Sequence, residues 1–600
     1  MSVLTRAAKE VAYLRGALGA LRKAKPIART PDRTICDVLD DLAARFGERL
    51  ALVSDKEELT YRGLNARANR YARWARSKNL GKGDTVALLM SNRPEYLAVW
   101  LGLAKAGIAT ALLNTNQAGP ALAHSIRVVD ARCVIAESGR AGDLAGVQAL
   151  LERPVPVFVH GGESEEERID RALEGFSDAN LAPDERVALT INDRCIYVYT
   201  SGTTGMPKAA NINHYRVLLA MLGFAGAMGT RASDRLYDCL PMYHTNGGVI
   251  APGSVLMVGG TCVIRERFSA TDFWADVVRH RCTAFIYIGE LCRYLLNTPP
   301  TPAEAQHKVR LCFGNGLRPD VWTRFRDRFR IGKMVEFYAA TEGNCSMFNF
   351  DATPGAVGRI PKWAERRFPV KIVRFDVAAE VPVRTPEGRC LECGTDEVGE
   401  TIGQILNDAE RPANRFEGYA DGAATENKIL RNVFEPGDAW FRTGDLMRKD
   451  ARGYYYFVDR IGDTFRWKGE NVATSEVAEA LTSYPGVREA NVYGVALPGQ
   501  EGRAGMALLV VEDPAGFDLP GFFAHVSARL PDYARPVFLR FSDRLDVTTT
   551  FKPRKLDLVA EGADPSRFTD PAYVIDPAAK TYVRLDRETY DRIAAGALRL

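Results

Sequence analysis

The sequence predicts an α/β fold with an added β-barrel-like part, divided into a large N-terminal domain and a small C-terminal α+β domain joined by a hinge. Three observations carry this. At 600 residues the chain exceeds what one ordinary hydrophobic core serves. Short apolar runs alternate with helix-period segments over its first half, as parallel strands with crossover helices require. The pattern then changes character twice, near residue 356 and again near residue 463.

Taken in order, residues 1–30 form a basic amphipathic segment. Leu4, Ala7, Val11, Leu14, Leu18 and Leu21 recur at steps of three and four, one apolar stripe on a helix, accompanied by Arg6, Lys9, Arg15, Arg22, Lys23 and Lys25. Charges at Arg6, Lys9, Glu10 and Arg15 interrupt any export-signal core. Such a helix either lies on an anionic membrane or packs its stripe onto the parent domain; packing is the commoner use and is taken as the expectation. From 35 to 90 helical periodicity (Val38, Leu39, Leu42, Ala43, Phe46) mixes with strands at Leu50–Val53 and 85–90. Further strands are expected at 133–136, 155–159, 196–199, Thr261–Ile264 and 283–288, with a helix at 273–280. Between 356 and 405 short alternating segments with Gly and Pro, including 370–373 and 400–405, give the barrel-like part. The domains are therefore set at 31–458 and 464–600, with the boundary at 459–463; the second carries helices at 476–483 and 521–530 and strands at 489–495, Ala504–Val511 and 537–541.

Composition narrows the function classes. A formal charge of +4 and a pI near 8.4 over this length give no electrostatic case for nucleic acid. Eleven cysteines stand singly apart from Cys390 and Cys393, with no second pair to complete a zinc site, so reduced thiols of a cytoplasmic protein are expected. The most apolar stretch, 97–113, holds Lys105 and two glycines and is not read as a membrane span.

The sharpest local feature is IYVYTSGTTGMPKAA: a buried-type strand followed by Thr200, Ser201, Gly202, Thr203, Thr204, Gly205, Met206, Pro207 and Lys208. Glycines let backbone N–H groups approach an anion, hydroxyls add donors and lysine adds charge, so the loop is suited to phosphate. It is not a Walker A loop, because Lys208 directly follows Pro207 rather than a glycine and no Ser or Thr comes after the lysine. Four further motifs follow in order, which a polar surface turn does not explain.

These strings resemble the adenylate-forming superfamily of acyl-CoA synthetases, luciferases and peptide-synthetase adenylation domains. The resemblance implies ATP, Mg²⁺ and coenzyme A as cofactors or co-substrates. It implies that in FYAATEGN Tyr338 stacks on adenine, Thr341 lies near phosphate and Glu342 brings in Mg²⁺, and that Gly314, Asn315 and Gly316 of FGNGLRP line the adenine. Asp445 of FRTGD and Arg460 of the hinge motif would hold the ribose, and Lys552 of TTTFKPRK would be the adenylation lysine. In LPMYHTNGG the resemblance sets His244 beside the substrate carboxylate; a core histidine is the competing reading.

FIYIGELCRYLLN, GNGLRPDVW and DTFRWKGENVATSEV resemble a narrower group, the fatty-acid transport proteins or very-long-chain acyl-CoA synthetases, over about 35–556. This implies a fatty acid as substrate and an apolar acyl pocket lined partly by Tyr287, Ile288 and Gly289. Where many relatives place Asp or Lys two residues after the ribose arginine, this chain has Gly462, which suits a pivot; the rotation would carry Gly469 toward the coenzyme A channel. Hand-over of the acyl group to a carrier protein, and fatty-acid uptake with little turnover, are the alternatives. Peripheral contact with the inner face of the cell membrane through residues 1–30, and a dimer, stay open.

Overall fold

A computed structural model describes residues 3–201, 206–377, 379–406, 408, 412–498, 500, 502–547 and 554–598, with side chains at the helix start (3–6) and at 201 left aside. The chain divides into two compact units: Met1–Ile360 with Gly403–Arg431 and Gly437–Phe441, and Pro361–Ile402 with Asn432–Pro436 and Arg442–Leu600.

The first unit is built on two large sheets. In one, eight strands run in the order Ser346–Asn349, Lys333–Ala339, Leu311–Asn315, Ala284–Ile288, Arg235–Asp238, Thr261–Ile264, Leu50–Val53, Glu58–Thr60; all neighbours are parallel except the outermost pair at each end. In the other, seven strands run Glu167–Arg168, Val157–His160, Cys133–Glu137, Thr85–Leu89, Ala109–Leu112, Arg194–Ser201, Pro207–Asn213, antiparallel only at the last pair. Their central strands are buried along their whole length, which is why they read as unbroken apolar runs. The apolar stretch 97–113 supplies Pro94–Lys105, a wholly buried helix, and the strand after it. Lys105 is held in that core by Asp40 at 2.6 Å and by Asn65 and Asn69 at 2.7 Å each. No helix among the described residues is long and apolar enough to cross a membrane.

The N-terminal helix, Val3–Arg29, packs on His214–Met228, but not as its periodicity suggests. A β-carbon on Gly19 would lie 2.3 Å from the Gly226 carbonyl oxygen, and one on Gly226 2.2 Å from that of Gly19, so the backbones meet directly. Gly16 faces Phe350, Tyr13 is buried with its hydroxyl donating to the Arg359 carbonyl at 2.9 Å, and Ala17, Ala20, Ala24 and Ile27 complete the inner face. The expected packing of the leucine stripe is therefore corrected: Val11, Leu14 and Leu18 are 54%, 42% and 62% exposed. Small residues win the inner face because only they permit backbone approach.

The second unit contains strands in the order Tyr454–Arg460, Ala439–Lys449, Gly399–Gln404, Val370–Asp376, Val381–Pro382, antiparallel at the first and the last of these pairs. A five-stranded sheet follows, Val487–Val495, Ala504–Val511, Phe538–Phe541, Ala572–Asp576, Thr581–Arg584, with helices Thr474–Thr482 and Leu519–Arg529 packed in its core. Residues 459–463 lie within this unit.

Candidate active site

In the first unit the strand Arg194–Ser201 delivers Thr200 to the edge of the phosphate loop; Gly202, Thr203, Thr204 and Gly205 lie outside the described residues, as does the Ser201 side chain. Lys208 opens the returning strand, pairing with Thr200 in antiparallel register. Residues 417–420 run alongside that strand: Asn211 N–H donates to the Gly418 carbonyl at 3.0 Å and Ala420 N–H to Ala209 at 2.9 Å. This fixes Tyr419 between the motifs. Its hydroxyl donates to Glu342 at 2.6 Å and also meets the Thr200 side chain, and the Lys208 ammonium stands 5.9 Å from its ring centre. Burial and the adjacent carboxylate push the Tyr419 phenol above its ordinary range, so it stays a donor at neutral pH.

Glu342 is 9% exposed and its loop is held from behind. The Arg216 guanidinium donates to the Thr341 carbonyl at 3.3 Å and to the Gly343 carbonyl, and Asn344 donates to the Gln404 and Asn414 carbonyls at 2.8 and 3.0 Å. Burial lowers the Arg216 pKa while Glu417 and Glu342 oppose that shift. Tyr338 is the last residue but one of the strand leading into this loop and is half-buried.

The loop carrying His244 joins the same group. Asn92 clamps its root by donating to the Leu240 carbonyl and accepting from Met242 N–H, both at 2.8 Å. Beyond it Thr245 reaches Thr341 at 3.4 Å and Asn246 donates to Asn315 at 3.2 Å, while the His244 ring lies 4.6 Å from that of Tyr243. His244 is half-buried and neighbours the Thr341 and Asn315 segments.

Gly314 and Asn315 end the neighbouring strand Leu311–Asn315, Gly316 follows them, and beneath is a group no motif announces. The Glu336 carboxyl group accepts from Leu317 N–H at 2.9 Å and from the Tyr287 hydroxyl at 2.7 Å, with Gly316 N–H also contributing. Burial pushes its pKa up to about 8 despite those hydrogen bonds. Tyr287 is thus fully buried under the 314–317 segment; Ile288 is half-buried and Gly289 is wedged against Gly316. A cavity of about 410 Å³ elsewhere in the unit is lined by Lys56, Arg67, Arg93, Glu95, His160 and Asp170 among others, and includes none of these three.

In the second unit Asp445 and Arg460 are cross-strand partners in an antiparallel pair, their charged ends 3.9 Å apart. Asp459 is buried: it accepts from Thr474 N–H at 2.5 Å and from Thr464 at 3.2 Å, and burial raises its pKa against the pull of Lys555. Lys555 bonds Thr474 at 2.6 Å and Asp463 at 3.1 Å. Gly462 and Gly469 both take left-handed backbone, φ 91° and 85°. Lys552 lies outside the described residues.

Sequence reading missed Tyr419, Arg216, Asn92 and Glu336. Only Glu336 carried a usable signal, an acid inside an otherwise apolar strand, KMVEFYA.

A strand–loop–strand phosphate signature at the edge of one large sheet, an acid-bearing loop beside it and a small C-terminal domain define an adenylate-forming enzyme. Residues 39–400 match the AMP-binding enzyme family and residues 476–552 its C-terminal domain, and the chain belongs to that family. It is 41% identical to long-chain fatty acid transport protein 6 of Mus musculus over 557 residues, 92% of this chain and 88% of that one. It is 40% identical to the medium/long-chain-fatty-acid–CoA ligase FadD6 of Mycobacterium tuberculosis over 587 residues, 97% and 94% of the two chains. Among solved structures, the anthranilate CoA ligase AuaEII in complex with anthranoyl-AMP shares the fold at TM-score 0.74 and 21% identity, over 88% of this chain and 97% of that one.

Proposed function

We propose that this protein is a fatty acid–CoA ligase acting on long or very long chains. The observation that supports it most is the joining of Thr200, Tyr419 and Glu342, with Lys208 over the tyrosine ring, in a chain about two-fifths identical along nearly its whole length to a fatty-acid–CoA ligase.

A carboxylate oxygen of the fatty acid attacks the α-phosphorus of ATP and pyrophosphate leaves, giving acyl-AMP. The coenzyme A sulfur then attacks the acyl carbon, its thiol proton is lost, and AMP leaves. Phosphate oxygens are received by the loop 200–205 and Lys208, and Lys552 stabilises the charge that moves onto the α-phosphate and carboxylate. Asn315 and its flanking glycines border the base on which Tyr338 stacks, Asp445 and Arg460 hold the ribose, and His244 borders the carboxylate. Glu342 fits a magnesium role: Tyr419 engages one of its oxygens, and Mg²⁺ commonly takes one or two carboxylates with the rest of its shell from water and phosphate. When bound, Mg²⁺ would neutralise phosphate charge. A pivot at 459–463, between domains 31–458 and 464–600, serves the exchange between half-reactions, with Gly469 on the coenzyme A side.

Tyr287, Ile288 and Gly289 would set the inner end of the acyl site, Tyr287 from beneath. Each buried methylene adds roughly 0.8 kcal/mol, so affinity rises with chain length even without specific contacts. We place the protein in the cytoplasm, peripheral to the inner face of the cell membrane. A panel of fatty acids of increasing chain length should give coenzyme A-dependent thioester by mass spectrometry together with pyrophosphate. Adenylate that accumulates despite coenzyme A would refute the ligase reading in favour of carrier loading.

A further inference from the structure

The N-terminal helix is fixed by one face and open on the other. Its inner face is locked by the Gly19–Gly226 backbone approach, by Tyr13 to the Arg359 carbonyl at 2.9 Å and by Lys9 to Thr353 at 2.9 Å. It therefore cannot roll to hide the outer face, where Val11, Leu14 and Leu18 follow one another at i, i+3 and i+7. Arg15, Arg22, Lys23 and Lys25 are exposed beside these aliphatics. The helix contains one acid, Glu10, and that carboxylate is paired with Arg359.

From this we infer that the Val11–Leu14–Leu18 face is a preformed docking surface for anionic lipid bilayers. Charge selects the occupant: aliphatics on a helix whose exposed cations have no acid partner among the described residues suit a layer of acyl chains under anionic headgroups. Three aliphatic side chains are too few to hold a second copy of the chain, since stable interfaces bury about 1,200–2,000 Å² in total. A bilayer needs no complementary shape, and the rigid helix loses no folding entropy on docking. Under the fatty-acid reading the surface would hold the enzyme where its substrate partitions, but the docking itself does not depend on that reading.

The test uses the full chain in vesicle sedimentation, with phosphatidylglycerol–phosphatidylcholine vesicles against pure phosphatidylcholine. Wild type should pellet with the anionic vesicles and be released by added salt. Leu14→Glu with Leu18→Glu should cut the bound fraction about tenfold or more, because each change removes apolar burial and adds repulsion. Arg15→Glu with Arg22→Glu and Lys25→Glu should do the same, an independent check since every altered position is exposed. Circular dichroism and thioester formation on a soluble short acid should match wild type; failure of that assay in wild type alone would sink the ligase reading and leave the docking result standing. The proposal is overturned if wild type ignores anionic vesicles, binds the neutral ones equally well, or is not weakened by either set of changes. It is also overturned if light scattering reveals a dimer that Leu14→Glu with Leu18→Glu dissolves, which would assign the face to a second copy.

Discussion

At Gly289 a β-carbon would lie 1.7 Å from the Gly316 carbonyl oxygen, and at Gly314 2.1 Å from that of Tyr287; at Gly462 and Gly469 it would meet no atom within 4 Å. The first two are glycine because neighbouring backbone occupies the space, the second two because their left-handed φ of 91° and 85° is strained for other residues. Around the adenine-lining segment the polypeptide is wedged and braced from below by Glu336. At the proposed pivot no atom crowds the two glycines, and the restraints there are side-chain bonds from Asp459 and Lys555. One region is held by backbone that fills the space around it, and the other by side-chain bonds alone, as the proposed pivot requires.

The largest expected effect tests whether the second unit delivers a reactive group. Lys552→Ala should lower fatty-acid-dependent pyrophosphate release by about two to three orders of magnitude, the usual result of losing one preorganised donor, while still converting supplied acyl-AMP to thioester. Single-turnover assays of the two half-reactions decide it; equal loss in both would remove Lys552 from the role given to it.

Next comes the brace under the wedged segment. Because the folded Glu336 pKa is raised to about 8 above the ordinary carboxyl value, the group contributes stability that is fully present below that ordinary value and is lost as pH rises toward 8. Glu336→Gln, which stays neutral, should flatten this part of the pH–stability curve, the difference from wild type amounting to a few kcal/mol at most, on the order of the linkage for such a shift. Denaturant titrations at pH 5 and pH 8.5 measure it, and parallel curves would show that Glu336 is charged in the folded protein.

Smaller again is Gly289→Ala, which should cost about 1–3 kcal/mol through overpacking and raise the KM for ATP as the 314–317 segment is displaced. Thermal melts and ATP saturation curves would show both; a silent variant would mean that the wedge relaxes freely. The smallest global effect belongs to Gly462→Ala, where strain of roughly 1 kcal/mol is expected without any collision. Its signature should be kinetic, with thioester formation slowed more than adenylation. The left-handed φ also makes Gly462→Pro a poor probe, because proline needs φ near −65° and would disrupt this conformation outright.

Much of the fold was legible. Leu50–Val53, Thr261–Ile264 and Ala504–Val511 agree with the expected strands at both ends, because strands covered on both faces keep every side chain apolar. The N-terminal helix was legible as a helix but not in its orientation. Periodicity ranks Leu and Val above Gly and Ala, whereas the inner face is decided by how closely two backbones approach. In the candidate site the motifs led to Thr200, Lys208, Thr341, Glu342 and Asn315, which the first unit does bring near one another. They could not lead to Tyr419, since its place depends on residues 417–420 running beside a strand two hundred residues earlier. Nor could they show Tyr287 turned toward Glu336, a pairing of two separate strands.

Lys555 holds Asp463 at 3.1 Å and Thr474 at 2.6 Å, and Lys552 is three residues back along the chain. Three peptide units span at most about 11 Å. The ammonium proposed to neutralise the adenylation charge therefore hangs on a short lanyard whose knot is tied to the joint itself. If the proposed pivot at 459–463 turns with this knot kept, Lys552 must follow it, and the position of the joint and the availability of the cation would then be one mechanical variable, a clutch that engages and releases in a single throw.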